Sequence, residues 1–252
     1  LQSASSAFTS PSGAHKLVAR FHPIPAIEGF DRKLEIAMDA GSIIIERSDW
    51  IAVNKPSGLS VHNEPEDLLT HLKRLIGIRT HPIHRLDRAT SGVILLAKKR
   101  SAAAYLQIQM GSSDTEKHYE SILRGKVQPH SGSWAQPLSN QAEGRRNPQG
   151  RKADRVTART DYIVLNKNSY LTRTLLKLHT GRQHQIRRHA ALSGHAIVGD
   201  SRYGDRRYND MMASRYGFSG MCLHAKHLKI VIEGEPVTLS AVCPQNWNVF
   251  GC

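Results

Sequence analysis

An aspartate set between two arginines is the first place where this chain looks equipped for chemistry. The run His84-Arg85-Leu86-Asp87-Arg88-Ala89-Thr90-Ser91-Gly92 is a polar loop directly ahead of an apolar segment. A carboxylate so placed can serve as a nucleophile or a base. Taken alone, Asp87 would more often be a surface ion pair worth about 0–1 kcal/mol. A second run changes that balance. Leu178-His179-Thr180-Gly181-Arg182-Gln183-His184-Gln185-Ile186-Arg187 gathers two Arg, two Gln and two His around one helix start. Backbone N–H groups and the helix dipole favour phosphate at such a place. The donors exceed what helix stability needs.

The composition points to the same kind of partner. Among 252 residues, 35 Lys and Arg face 21 Asp and Glu, a formal net charge of +14. That lies well beyond the magnitude of about 2–8 suited to a small soluble domain. A polyanion is the expected partner, with nucleic acid ahead of an acidic membrane. No apolar run approaches the roughly 20 residues that span a bilayer, so no membrane association is expected. Cys222, Cys243 and Cys252 are widely spaced, with no C-x-x-C pair. That usage fits a reducing compartment and a cytoplasmic location. A Ser-rich, basic start to the chain leaves an organelle as the alternative. Metal binding is not expected. Two ligands on one helix face need i, i+4 spacing, whereas His184 and His189 are five apart, about 140° around a helix.

Residues 1–41 lack a clean period and read as a flexible tail, leaving 42–252 as one domain. Paired strands are expected over 43–46 and 50–54, closed by a loop at Pro56 and Gly58. Leu68, Leu69, Leu72, Leu75 and Ile76 follow helical spacing, with Gly77 as the stop. A strand over 93–97 precedes a helix over 102–110. Further strands are expected over 119–123, 156–165, 171–178, 228–232 and 237–242. A third helix is expected over 183–193, with Thr180 and Gln183 spaced as a capping box and Gly194 as the stop. Many strands with few helices, and no regular βα alternation, argue an α+β fold with a mixed, largely antiparallel β-sheet and flanking helices.

Several short motifs, in this order, carry a resemblance. They are Lys55-Pro56-Ser57-Gly58 with His62, His84-Arg85-Leu86-Asp87 with Thr90-Ser91-Gly92, and Lys117-His118-Tyr119. Gly181-Arg182-Gln183-His184-Gln185-Ile186-Arg187 follows, then Gly194-His195, Gly199-Asp200, Tyr203-Gly204 and Leu223-His224-Ala225. From about Ile43 to Pro244 the chain resembles the RluA-type family of RNA pseudouridine synthases. Gln183 stands where the family usually has Thr, and Ala196 where Pro is common. The resemblance implies the pseudouridine synthase catalytic fold and an isomerase that turns uridine into pseudouridine in tRNA or rRNA without a cofactor. It implies that Asp87 is the catalytic carboxylate, that Tyr119 lies against the base, and that Arg187 pairs with Asp87.

Extruding a base from its stack costs a few kcal/mol, so loops and single strands are the natural substrates. His84, Arg85 and Arg88 are expected to hold the neighbours of the extruded nucleotide, with Arg182 on either phosphate or the sheet edge. Arg145, Arg146, Arg151 and Lys152 lie in a Gly- and Pro-containing stretch read as a mobile RNA-contacting loop. Lys55 reads as framework. A monomer is expected. Two other classes compete: an inactive RNA-binding or assembly factor on the same fold, and a hydrolase with an Asp nucleophile. The first gains nothing from retaining Asp87, Tyr119 and Arg187 together. The second lacks G-x-S-x-G and an evident paired carboxylate.

Overall fold

The computed structural model describes residues 38–252, so nearly all of the expected tail lies outside the described residues. In chain order the first elements are β1 (Ile43–Glu46), β2 (Trp50–Lys55), α1 (Leu68–Ile76), β3 (His81–Pro82), β4 (Ser91–Ala97) and α2 (Arg100–Gly111). Then come β5 (Glu116–Arg124), β6 (Ser131–Trp134), β7 (Leu138–Ser139), β8 (Arg155–Val156), β9 (Thr160–Lys167) and β10 (Leu171–Leu178). The chain continues with α3 (Gln185–Leu192), α4 (Arg206–Tyr216), β11 (Leu223–Ile232) and β12 (Glu235–Ser240). The large sheet runs β1-β2-β4-β11-β5-β10-β9-β6, with β12 on β11 and β3 on β4. β4 and β11 are parallel, and the other pairings described for this sheet are antiparallel. The mixed α+β sheet expected from the sequence is therefore present.

β4 explains the layering. All seven of its residues are buried, as suits a strand covered on both faces. Its side chains alternate between two cores. Val93 and Leu95 join Leu106 and Met110 of α2, while Ile94 and Leu96 join Leu68 and Leu72 of α1. Each such fully buried aliphatic side chain contributes about 1.5–3 kcal/mol. Asp67 caps α1 by accepting from the Thr70 N–H at 2.8 Å, and Gly77 ends it in the left-handed region at φ 75°. A third core surrounds α3, where Ile186 and Ala190 pack with Ile122, Leu176 and Trp247.

Three local expectations are corrected. The strand expected over 156–165 is two strands: β8 pairs with β7, whereas β9 pairs with β10. The third helix begins at Gln185, because His184 sits at φ 53° in the left-handed region. No Thr180–Gln183 capping box forms. Instead the Gln185 side-chain oxygen accepts from the Arg182 N–H at 3.1 Å and from the Thr180 hydroxyl at 2.6 Å. The α4 helix was not expected, since Met212 is its one buried residue. Its signals were the cap Asp205, which accepts from the Tyr208 N–H, and the terminating Gly217.

Where β4 meets β11, Gly92 pairs with Ala225. Its φ is 112°, and a Cβ there would lie 2.2 Å from the Ala225 oxygen. Both the strand pairing and the backbone conformation therefore demand glycine. Gly92→Ala is expected to cost about 3 kcal/mol or more, read as a lower urea midpoint at unchanged slope. A cost below about 1 kcal/mol would mean that β4 and β11 separate easily.

Candidate active site

The site is built on the Arg187 guanidinium, which α3 projects from its first turn. Its Nε and Nη2 donate to the two oxygens of Asp200 at 2.8 and 2.9 Å. The remaining Nη1 donates to Oδ2 of Asp87 at 3.0 Å. Asp200 is fully buried and also accepts from the backbone N–H groups of Arg202 and Tyr203. Such a two-pronged pair fixes the plane of the guanidinium as well as its position. Burial opposes the charge on Arg187, but Asp200 and then Asp87 outweigh it and hold the group more basic than usual. Burial likewise works against Asp200, and Arg187 with the two backbone donors brings its carboxyl below the ordinary range.

The other oxygen of Asp87 faces His184, whose Nε2 is 3.6 Å away. His184 Nδ1 lies 3.0 Å from the Tyr203 hydroxyl, and the Arg187 guanidinium sits over the Tyr203 ring. Burial lowers the pKa of His184 despite the pull of Asp87. The side chain of Asp87 keeps 22% exposure, so a ligand can reach it.

Two interlocked loops hold Asp87 in place. Lys55 at the end of β2 is fully buried and donates to the carbonyls of Pro56, Leu59 and Arg88 at 2.9, 2.7 and 3.1 Å. Three acceptors match the three donors of an ammonium. Burial nonetheless pushes its pKa down to about 7, with the charge of Asp87 pulling the other way. Gly58 N donates to Arg88 O, Arg88 Nε donates to Gly58 O, and the Ser57 hydroxyl donates to Ala89 O. The Lys55-Pro56-Ser57-Gly58 run is thus a clasp on the loop that carries Asp87.

Asp87, Arg85, Leu86, His184 and Arg187 form a wall shared by two chambers. The smaller is about 260 Å³ and is lined further by Tyr119, Leu178, Ile186, Leu223, His84, Lys117 and Arg182. The larger is about 650 Å³ and is lined further by Ser57, His62, Asn63, Arg88 and Arg202. The smaller carries an apolar patch of Tyr119, Leu178, Ile186 and Leu223 that suits a flat ring, beside Lys117 and Arg182, whereas the further lining of the larger is mainly polar. Tyr119 on β5 keeps its proton firmly, because burial and then the charge of Asp87 raise its pKa.

The remaining expected site residues divide by position. Arg85 is exposed on the shared wall. Arg88 reaches Glu64 at 3.4 Å as well as Gly58. Arg182 donates to Thr157 O beside the smaller chamber. His84 lines the smaller chamber, but its Nε2 accepts from the Leu95 N–H at 3.0 Å, and its pKa is pushed down to about 3 by burial and then by Lys117. A neutral imidazole brings no charge to a phosphate. Arg145, Arg146, Arg151 and Lys152 lie outside both chambers, on a loop that runs beside α3. Sequence reasoning assigned no role to Asp200, His184 or Tyr203. The available signal was a lone acid after Gly199 in an Arg-rich region.

Residues 49–192 match the family described as RNA pseudouridylate synthase. The chain belongs to the RluA-type family of RNA pseudouridine synthases. The tRNA pseudouridine synthase C of Yersinia pestis is 33% identical over 226 residues, covering 82% of this chain and 88% of that protein. The ribosomal large subunit pseudouridine synthase C of Escherichia coli strain K12 is 31% identical over 230 residues, covering 86% of this chain and 70% of that protein. An uncharacterized RNA pseudouridine synthase of Aquifex aeolicus is 38% identical over 164 residues, which are 60% of this chain and 52% of that protein. Among solved structures, human RNA pseudouridylate synthase domain containing 1 superposes with a TM-score of 0.69 at 26% identity, covering 81% of this chain and 83% of that one. As a pseudouridine synthase the chain is an isomerase that converts uridine to pseudouridine in RNA.

His84 gives the site of this pseudouridine synthase a stability signature. Its folded pKa of about 3 lies below the ordinary 6.5, so the folded state binds fewer protons than the unfolded chain between those values. Its contribution is complete above about pH 6.5 and is lost as the pH falls toward 3. At pH 5 the loss amounts to about 2 kcal/mol. His84→Asn keeps an acceptor for the Leu95 N–H, so urea unfolding should show the drop between pH 7 and pH 5 shrinking by about 2 kcal/mol. An undiminished drop would place the acid sensitivity elsewhere.

Proposed function

We propose that Asp87 is the catalytic carboxylate of this isomerase and that its target is an accessible uridine of a tRNA or a ribosomal RNA. One observation carries the reading: Asp87 stands on the wall between the two chambers, ion-paired to Arg187 on one oxygen and open to a ligand. Relatives of similar identity divide between the two RNA classes by name, which supports naming both.

The isomerisation breaks C1′–N1, turns the base and joins C5 to C1′. The C5 proton is released and N1 takes one up, so atoms balance without redox change. The apolar patch of Tyr119, Leu178, Ile186 and Leu223 in the smaller chamber takes the base, which brings the ribose to Asp87. Arg187 holds the carboxylate aimed at the ribose. Tyr119 lies against the base, and its firmly protonated hydroxyl serves it as a hydrogen-bond donor. A partly buried acid aimed into a chamber among so many cations is of no use to a pure RNA binder, which argues against the inactive-factor alternative.

RNA carrying tritium at C5 of uridine tests the reading. Wild-type protein should release the label to water. Asp87→Asn keeps the shape and removes the charge, so release should fall by roughly 10⁴-fold or more while RNA binding persists. Release at the wild-type rate would remove Asp87 from the chemistry.

Arg187 separates from Asp87 in a second experiment. Arg187→Lys retains the charge but not the fork that spans Asp200 and Asp87. Turnover should drop about 10²-fold with RNA affinity little changed. Equal losses in affinity and turnover would make Arg187 a phosphate clamp.

A further inference from the structure

Next to Arg187 on α3 stands an arginine with a different task. Arg188 is fully buried, yet carbonyls rather than carboxylates hold it. Its Nη1 donates to Ser139 O at 2.7 Å and Gln183 O at 3.2 Å, and its Nη2 to Ser139 Oγ at 2.9 Å and Gln149 O at 2.8 Å. Its Nε donates to Pro148 O. Neighbours on the same helix face act alike. Gln185 Nε2 donates to Arg159 O and Thr160 Oγ1, and the His189 ring bridges Thr160 Oγ1 and Gln136 O at 3.0 Å each. Spacing of three and four residues aligns all three side chains. Together they fasten the segment 136–160 at Gln136, Ser139, Pro148, Gln149, Arg159 and Thr160.

A buried cation without a carboxylate is an expensive way to fill space, because an apolar side chain of similar size would do so without desolvating a charge. What Arg188 achieves is shape. It gathers both ends of the loop 139–149 onto one guanidinium. The stretch 139–155 carries Arg145, Arg146, Arg151, Lys152 and Arg155 against Glu143 and Asp154. Arg145 pairs with Asp205, and Arg151 with Asp154. Arg146 and Lys152 are exposed and have no ion pair among the described residues. The arm also touches the cleft. Ala142 N donates to the Gln183 side chain, and Ala142 O accepts from Arg202, a residue lining the larger chamber beside Asp87.

We infer that residues 139–155 form an arm that docks the phosphate backbone of single-stranded RNA leaving the cleft, and that Arg188 is the residue that positions it. The inference rests on the RNA-isomerase reading for its ligand. Adjacent residues of one helix then divide the work: Arg187 orients the carboxylate, and Arg188 fixes where the substrate lies.

The test uses a fluorescein-labelled oligouridylate long enough to extend past the cleft, with its affinity measured across a salt series. The surface variant Arg146→Ala/Lys152→Ala should weaken binding roughly tenfold near physiological salt. It should also make the log–log salt slope shallower by about 1.4, at about 0.7 for each phosphate no longer neutralised. Arg188→Met changes no exposed charge, yet should produce the same shallower slope, and combining it with the surface pair should add little. Arg188→Lys should restore only part, since three donors replace five. In tritium release, the Arg188→Met loss should fall on KM, not kcat, unlike that of Arg187. An unchanged slope in the surface variant overturns the arm, and it does so even where Arg188→Met fails to fold. A kcat loss for Arg188→Met with unchanged affinity overturns the positioning role. Arm-dependent binding with no tritium release from wild-type protein would overturn the isomerase reading and leave the arm standing.

Discussion

One guanidinium shared between two carboxylates organises this molecule. Arg187 gives two of its donors to the buried Asp200 and one to the partly open Asp87. Neither contact is independent of the other. Without Asp200, a cation inside the protein would lose the partner that makes its burial tolerable, and nothing would aim Nη1. The Gly199–Tyr203 turn, the start of α3 and the loop before β4 meet at this group. His184 adopts its left-handed conformation beside it, with the ring placed between Asp87 and Tyr203. Backbone strain of that kind persists where surrounding contacts over-determine it.

A second cation performs the matching task on the other side of Asp87. Lys55 directs all of its donors to carbonyls, and it ties the turn after β2 to the loop before β4. Asp87 is therefore held through the carbonyl of its neighbour Arg88 by one basic residue and through its side chain by another. The chambers on either side inherit that rigidity. Rigid placement of the reacting group is where much of an enzyme's rate advantage originates.

The apolar framework and the site were legible in the sequence to different degrees, for physical reasons. β4 and α1 could be read because alternation and helical spacing record burial directly. α4 could not, since its one buried residue leaves almost no period, and the caps at Asp205 and Gly217 were its remaining trace. The break between β8 and β9 was hidden because a β-branched and aromatic run looks the same whether it pairs with one partner or two. In the site, Asp87, Tyr119 and Arg187 could be named from motifs. His184 acts on an aspartate far back in the chain, and Asp200 on an arginine in another element, and composition holds no record of which acid meets which base. Arg146 and Lys152 were visible as charge, but Arg188 looked like one more basic residue until its burial was seen.

The position of β11 has a consequence in time. It is inserted between β4 and β5, strands that precede it by about a hundred residues or more. Until it is made, the β4 edge, apolar on both faces, has no neighbour on that side, and β5 is equally bare. Late closure of this kind slows folding and exposes sticky edges in the meantime. A nascent chain emerging beside the ribosome carries Asp87, Tyr119 and Arg187 well before the middle of the sheet can hold them together. The cleft is therefore completed only once β11 is in place.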